Sequence, residues 1–62
     1  MRVTIEVLSE VEGLEVTKRS VLQAEEFRND EEFEAAAVSF IRKSKMANDR
    51  ELRNATANEV SR

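Results

Sequence analysis

Gly13 is the only glycine in the chain and proline is absent, so the sequence offers one obvious position for a tight turn. Glycine readily adopts the positive φ values that two-residue hairpin turns require. Apolar and polar residues alternate before it from Val3 to Val7, and strand-like residues continue after it to about Leu22. Alternation of β-branched residues with period two indicates half-buried strands. The sequence therefore predicts a β-hairpin over about residues 2–22.

A strong helix signal follows the hairpin. Asn29 or Asp30 can cap the first turn, and the acidic residues after them complement the positive end of the helix dipole. Apolar residues then recur at the spacing of one helical face, namely at Phe33, Ala36, Ala37, Phe40 and Ile41. We expect an amphipathic helix over about residues 30–46 that packs on the hairpin. The predicted fold is α+β, with the order ββα.

The segment over about residues 48–62 is open to three interpretations. Asn48 and Glu51 have the spacing of a capping box, which would begin a short second helix. Because no glycine or proline forces a break, one helix can also continue, and Leu52 and Ala55 would then return to the apolar stripe. Beyond Ala55 the residues are mostly polar, which is typical of a frayed end.

The size of the chain indicates self-association. A domain of 62 residues buries only about 60% of the surface that its unfolded chain exposes. Cysteine and histidine are absent, so neither a disulfide nor a Cys/His metal site can stabilise it. A lone two-stranded hairpin is marginal in water. We expect a homodimer, formed by joining two hairpins or by pairing the helices, with four apolar residues left for the contact: Val38, Met46, Leu52 and Val60.

The same absences exclude several chemistries. Without histidine and cysteine the chain lacks the commonest general base, the histidine-containing triads and a thiolate nucleophile. Its carboxylates gather at the predicted helix start, where acid is expected for structural reasons. We therefore expect no enzyme, cofactor or metal. No apolar run approaches the roughly 18 residues that cross a bilayer, and the first residues lack the core of a signal peptide. The expectation is a cytoplasmic protein without membrane contact.

The net charge of −3 is unevenly distributed and suggests a protein partner. Acidic residues occur in the hairpin and at the helix start, and we expect five of them to form an acidic face: Glu12, Glu15, Glu31, Glu32 and Glu34. Such a face can steer a basic partner, such as a nucleic-acid-handling enzyme.

The later part of the helix is basic and supports an alternative. Its cations are those that could contact phosphates: Arg42, Lys43, Lys45, Arg50 and Arg53. The chain has no Trp or Tyr on which bases could stack, which weighs against nucleic acid.

Together these features indicate a small interaction protein that binds and modulates or inhibits another macromolecule. Small acidic domains of this kind are common among accessory proteins of phages and mobile elements, where they block host or defence nucleic-acid enzymes, including CRISPR complexes. This expectation concerns a class, because no motif identifies a partner. The alternative is a small nucleic-acid-binding transcriptional regulator that uses the basic segment 42–53.

Overall fold

A computed structural model describes residues 1–60, with side chains up to residue 57, and it confirms the ββα order. Strand β1 (Arg2–Val11) pairs antiparallel with strand β2 (Leu14–Gln23). A short 3-10 turn (Ala24–Glu26) leads to a single long helix, α1 (Asp30–Val60). The chain is thus an α+β fold in which one helix lies across one face of a two-stranded sheet.

Gly13 lies in the hairpin turn, as predicted, and the turn has two residues, Glu12 and Gly13. Glu12 and Gly13 both have positive φ, at 50° and 84°, and Val11 pairs with Leu14. Two successive positive φ values are the signature of a type I′ turn, whose twist matches that of the strands. Glycine is therefore a preferred residue at the second turn position, whereas glutamate is unusual at the first.

The register of the hairpin gives the sheet two different faces. The face towards α1 carries the half-buried residues Val3, Ile5 and Val7 of β1. Leu22, which pairs with Val3, and Val16 lie on the same face of β2. The opposite face, which we call the outer face, has no covering layer among the described residues. Its larger apolar side chains remain exposed, Leu8 to 56% and Val21 to 51%.

Helix α1 begins where the capping residues predict. The Oδ1 atom of Asn29 accepts a hydrogen bond from the backbone N–H of Glu32 at 2.9 Å. The Glu32 carboxylate in turn accepts one from the N–H of Arg28 at 3.2 Å, close to the reciprocal pattern of a capping box. The Phe27 ring packs edge-on against Phe33, with centroids 5.5 Å apart. Together these contacts fix the angle at which the chain enters the helix.

The predicted end of the helix near residue 46 is wrong, and so is a second helix starting at Asn48. Helix α1 continues without interruption to Val60, and an ion pair between Lys45 and Asp49, one turn apart at 3.0 Å, spans the expected break. The side chain of Asn48 does not cap a new helix because it is turned towards the hairpin. Residues 61–62 of the predicted tail lie outside the described residues.

The buried stripe of α1 differs from the predicted one at three positions. Phe33 and Phe40 are half-buried, as expected for the stripe, but Ile41 is 45% exposed. Farther along, the stripe is occupied by Ser44 and Asn48, which are buried polar residues, before Leu52. The buried face thus drifts around the helix as it follows the twisted hairpin, and this drift turns Ile41 towards solvent.

Asn48 is fully buried and joins the helix to both strands. Its Nδ2 atom donates to the backbone oxygens of Val7 and Val16, at 3.2 and 3.3 Å, and also lies 3.2 Å from the Ser9 hydroxyl. Its Oδ1 atom is buried and accepts no hydrogen bond from the described residues. Sliding the helix by one turn would bring Ser44 or Leu52 to these carbonyls. The amide therefore specifies the axial position of the helix on the hairpin.

The resulting molecule is thin and has very little interior. Its principal extents are 51 × 15 × 13 Å, and its radius of gyration of 15.0 Å exceeds the about 11 Å of a compact domain of this length. Leu52, 3% exposed, is the one fully buried apolar residue among those described. The surface area of 5104 Å² compares with about 4,100 Å² for a typical folded monomer of 7.1 kDa. About 1,000 Å² more surface is therefore open than a stable monomer usually leaves.

Candidate functional site

The five acidic residues predicted to form one face lie in two groups at opposite ends of the molecule. Glu31, Glu32 and Glu34, the helix-start acids, lie at the end where the backbone N–H of Ala24 bonds to the oxygen of Met1. Glu12 and Glu15 lie at the other end, where Val11 lines a shallow cavity with Leu52. Positions 31 and 52 are about 32 Å apart along the helix axis. The two groups cannot act as one continuous surface.

The helix-start acids have evident structural roles. Glu32 takes part in the cap and forms an ion pair with Arg28 at 3.5 Å. Glu31 and Glu34 lie in the first turns, where the positive end of the helix dipole favours negative charge by about 0.3–1 kcal/mol. Their charge is therefore explained without a partner.

The acids at the hairpin tip have no such explanation. Glu10 lies directly opposite Glu15 on the outer face, and two like charges in that arrangement destabilise a hairpin. Glu12 occupies the first turn position with φ of 50°, where asparagine or glycine is preferred. We call Glu10, Glu12 and Glu15 the tip acids. None of them forms an ion pair with any residue that the structure describes.

The surroundings of the tip acids are open and partly apolar. Leu8 lies on the same outer face as Glu10, and Val11, at the end of the strand, is 44% exposed. Arg53 lines the same cavity as Val11, but the side chains of Glu10 and Glu15 project from the face that points away from the helix. The tip therefore presents three uncompensated carboxylates. Leu8 lies beside Glu10 on the outer face, whereas Val11 is exposed on the side that faces the helix. Sequence reasoning placed Glu12 and Glu15 correctly in the hairpin, but it could not show that Glu10 lies opposite Glu15, because that pairing depends on the strand register.

The basic segment of α1 is divided as well. Lys45 is neutralised by Asp49. The other four predicted cations are exposed and lack an ion-pair partner within the described chain. They lie within an arc of about 100° on the solvent side of the helix. We call these four residues the basic face: Arg42, Lys43, Arg50 and Arg53. They extend over about 16 Å of helix, with Met46 exposed between them.

The described residues also bear on two other kinds of site. They contain no group of three or more Asp or Glu side chains arranged to hold a metal ion. None of the helices in this part of the chain is both long and apolar enough to cross a membrane. The charged surfaces are thus the features that distinguish one part of the molecule from another.

Comparison of the chain with protein-family models, with curated proteins and with solved structures gives no match.

Proposed function

We propose that the chain is a small non-enzymatic interaction protein that binds and inhibits or modulates another macromolecule through its tip acids. The observation that carries the proposal is the departure from local preference at all three residues. Glu10 and Glu15 repel each other across the hairpin, and Glu12 occupies a backbone conformation that disfavours it. Departures of this kind tend to occur where function opposes stability.

The partner that fits this surface is a basic protein. Glu10 and Glu15 beside Leu8 on the outer face, with Glu12 in the adjoining turn, suit a patch of Lys or Arg with an apolar neighbour. Basic patches of this sort are common on enzymes that handle nucleic acid, because those enzymes bind phosphates. The proposed role is that of a phage or mobile-element accessory protein, acting in the cytoplasm on a host or defence nucleic-acid enzyme, as anti-CRISPR proteins do. Stoichiometric occlusion of the enzyme's basic surface is the mechanism.

The substitution Glu15→Lys tests the proposal because it should separate binding from stability. The new lysine faces Glu10 and replaces a repulsion with an attraction, so we expect unfolding to cost about 0.2–1 kcal/mol more. Binding should nevertheless be lost, since the charge of the tip changes from −3 to −1. Chemical denaturation measures the first effect, and capture from cell extract with the wild-type and variant proteins measures the second.

The matched control is Glu26→Lys, which makes the same charge change at the exposed 3-10 turn, at the other end of the hairpin. We expect the wild type and the control to capture the same nucleic-acid enzyme. Both should inhibit it fully at about one molecule of this protein per enzyme molecule, whereas Glu15→Lys should neither capture nor inhibit it. Equal capture and inhibition by the two lysine variants would refute a role for the tip acids.

Nucleic-acid binding through the basic face is the second candidate. The specific observation in its favour is that four cations on one side of α1 remain without carboxylate partners in the described chain. Arg50→Gln with Arg53→Gln should then weaken binding to a DNA or RNA duplex and lower the slope of log K against log salt by about 2. If binding to either duplex has no salt dependence, or the double variant binds as the wild type does, this candidate is excluded.

A further inference from the structure

A third charged feature of the helix belongs neither to the tip acids nor to the contact with the hairpin. Glu31, Ala35, Val38, Arg42 and Lys45 follow one another at alternating steps of four and three residues. This is the spacing of the seam along which two helices pack in a coiled coil. All five side chains are nevertheless exposed, and several of them line a shallow groove along the outside of the helix. The seam has no partner within the described chain.

The charges along this seam are arranged symmetrically about its centre. Glu34, which lines the same groove, lies four residues before Val38, and Arg42 lies four residues after it. Glu31 and Lys45 lie seven residues before and after it. The acidic half of the seam therefore mirrors the basic half, with the small side chain of Ala35 beside Val38 at the middle. Such a surface is self-complementary under a twofold axis that crosses the helix at Val38.

We propose that a second copy of this chain docks on the seam, with the two α1 helices antiparallel and the twofold axis beside Val38. Glu34 of each copy then lies beside Arg42 of the other, and Glu31 approaches the ion pair of Lys45 with Asp49. The helix axes approach closely because Ala35 and Ser39 are small. A partner of uniform charge would meet repulsion at one end of the seam, whereas a second copy meets attraction at both.

The surface area of the chain agrees with an association of this size. The chain exposes about 1,000 Å² more surface than a typical monomer of its mass. Each partner in a standard stable interface buries about 800 Å², which is a similar area. The contact would also cover Val38 and Ile41, which the hairpin leaves 37% and 45% exposed. The tip acids lie at the far end of the hairpin and stay accessible, so two identical binding sites would project from one dimer.

Cysteine cross-linking tests the geometry directly because the chain has no native cysteine. In Val38→Cys the two introduced thiols face each other across the twofold axis, within the about 7 Å between Cα atoms that a disulfide allows. Mild oxidation should convert this variant to a covalent dimer within minutes. Met46→Cys is the matched control. Met46 is more exposed but lies eight residues from Val38, so its two copies would be about 24 Å apart along the antiparallel helices, and it should cross-link at least about tenfold more slowly.

Charge exchange tests the proposed direction of the two helices. Glu34→Arg and Arg42→Glu should each raise the dimer dissociation constant by about tenfold or more, since each change occurs twice in the dimer. The variant that carries both changes should have a dimer dissociation constant within about threefold of the wild-type value, because each attraction is restored with the two charges exchanged. Arg50→Glu, an equal charge change on the basic face, should leave the constant unaltered within the same margin.

Three results would overturn the proposal. One is a chain that stays monomeric at 100 μM, and another is Val38→Cys cross-linking no faster than Met46→Cys. The third is a doubly exchanged variant that associates no better than the single ones. Each of these outcomes is independent of the effect of Glu15→Lys on capture, so failure of the dimer and failure of the tip acids can be told apart.

Discussion

Asn48→Asp is expected to leave the protein largely unfolded at neutral pH. The substitution preserves the shape of the side chain but replaces a donor with a carboxylate that meets the backbone oxygens of Val7 and Val16. An uncompensated buried charge costs about 3–5 kcal/mol. A domain of this size seldom has more than about 3–5 kcal/mol of stability in total. Circular dichroism and urea titration at pH 7 measure the loss.

The pH dependence of this variant gives a second, independent check. Burial raises the pKa of the introduced carboxyl in the folded state above its unfolded value, so the folded state binds more protons. Stability relative to the wild type therefore falls as pH rises through that pKa, and it recovers as pH is lowered. Asn54→Asp, the same change at an exposed position of the same helix, should alter stability by no more than about 0.5 kcal/mol. Equal behaviour of the two variants would mean that Asn48 does not hold the helix on the hairpin.

Leu52→Ala is expected to reduce the free energy of unfolding by about 2–4 kcal/mol. Leu52 is the one fully buried apolar side chain in the described part of the chain, and it packs near Val11 at the end of the hairpin. Its loss removes much of what holds the second half of α1 against the sheet. Thermal and chemical denaturation, followed by the helical signal, provide the measurement.

The matched control for this change is Leu8→Ala, which removes the same atoms from a side chain that is 56% exposed on the outer face. Its cost should remain below about 1 kcal/mol, because little buried contact is lost. If Leu52→Ala cost no more than this control, the helix beyond residue 46 would not be docked, and the frayed end considered from the sequence would be the better description.

The parts of the fold that local sequence predicts are those where several short-range signals agree. Gly13 predicts the turn because few other residues adopt its φ, and alternation identifies both strands. Asn29 and the acids after it predict the helix start, and the capping hydrogen bond confirms it. At each of these places the preference of a few neighbouring residues is sufficient to determine the structure.

The parts that sequence analysis missed depend on contacts between distant residues. Asn48 has the spacing of a cap, and its side chain turns inward only because it bonds to two hairpin carbonyls, which lie 41 and 32 residues earlier. Ile41 has the spacing of the core stripe, but the twist of the hairpin moves the buried face past it. The buried side of the helix carries polar as well as apolar residues. Its apolar residues therefore form no regular pattern from which the burial of Asn48 or the exposure of Ile41 could be predicted.

The candidate site shows the same division. Composition revealed the acidic residues, but the pairing of Glu10 with Glu15 requires the strand register, and the separation of the tip acids from the helix-start acids requires the packing of the helix. Lys45 could not be distinguished from the other cations until its ion pair with Asp49 was seen. The charge symmetry about Val38 is present in the sequence, but it indicates a contact with a second copy only because that side of the helix is exposed.

The central physical claim is that one copy of this chain cannot cover enough apolar surface to be stable by itself. Thermal unfolding as a function of protein concentration, combined with sedimentation equilibrium, tests it most directly. We predict a mass that rises from 7.1 kDa towards twice that value, and an unfolding midpoint that rises by about 10 °C for each hundredfold increase in concentration. A 7.1 kDa monomer at every concentration, unfolding above about 90 °C at a constant midpoint, would contradict the claim.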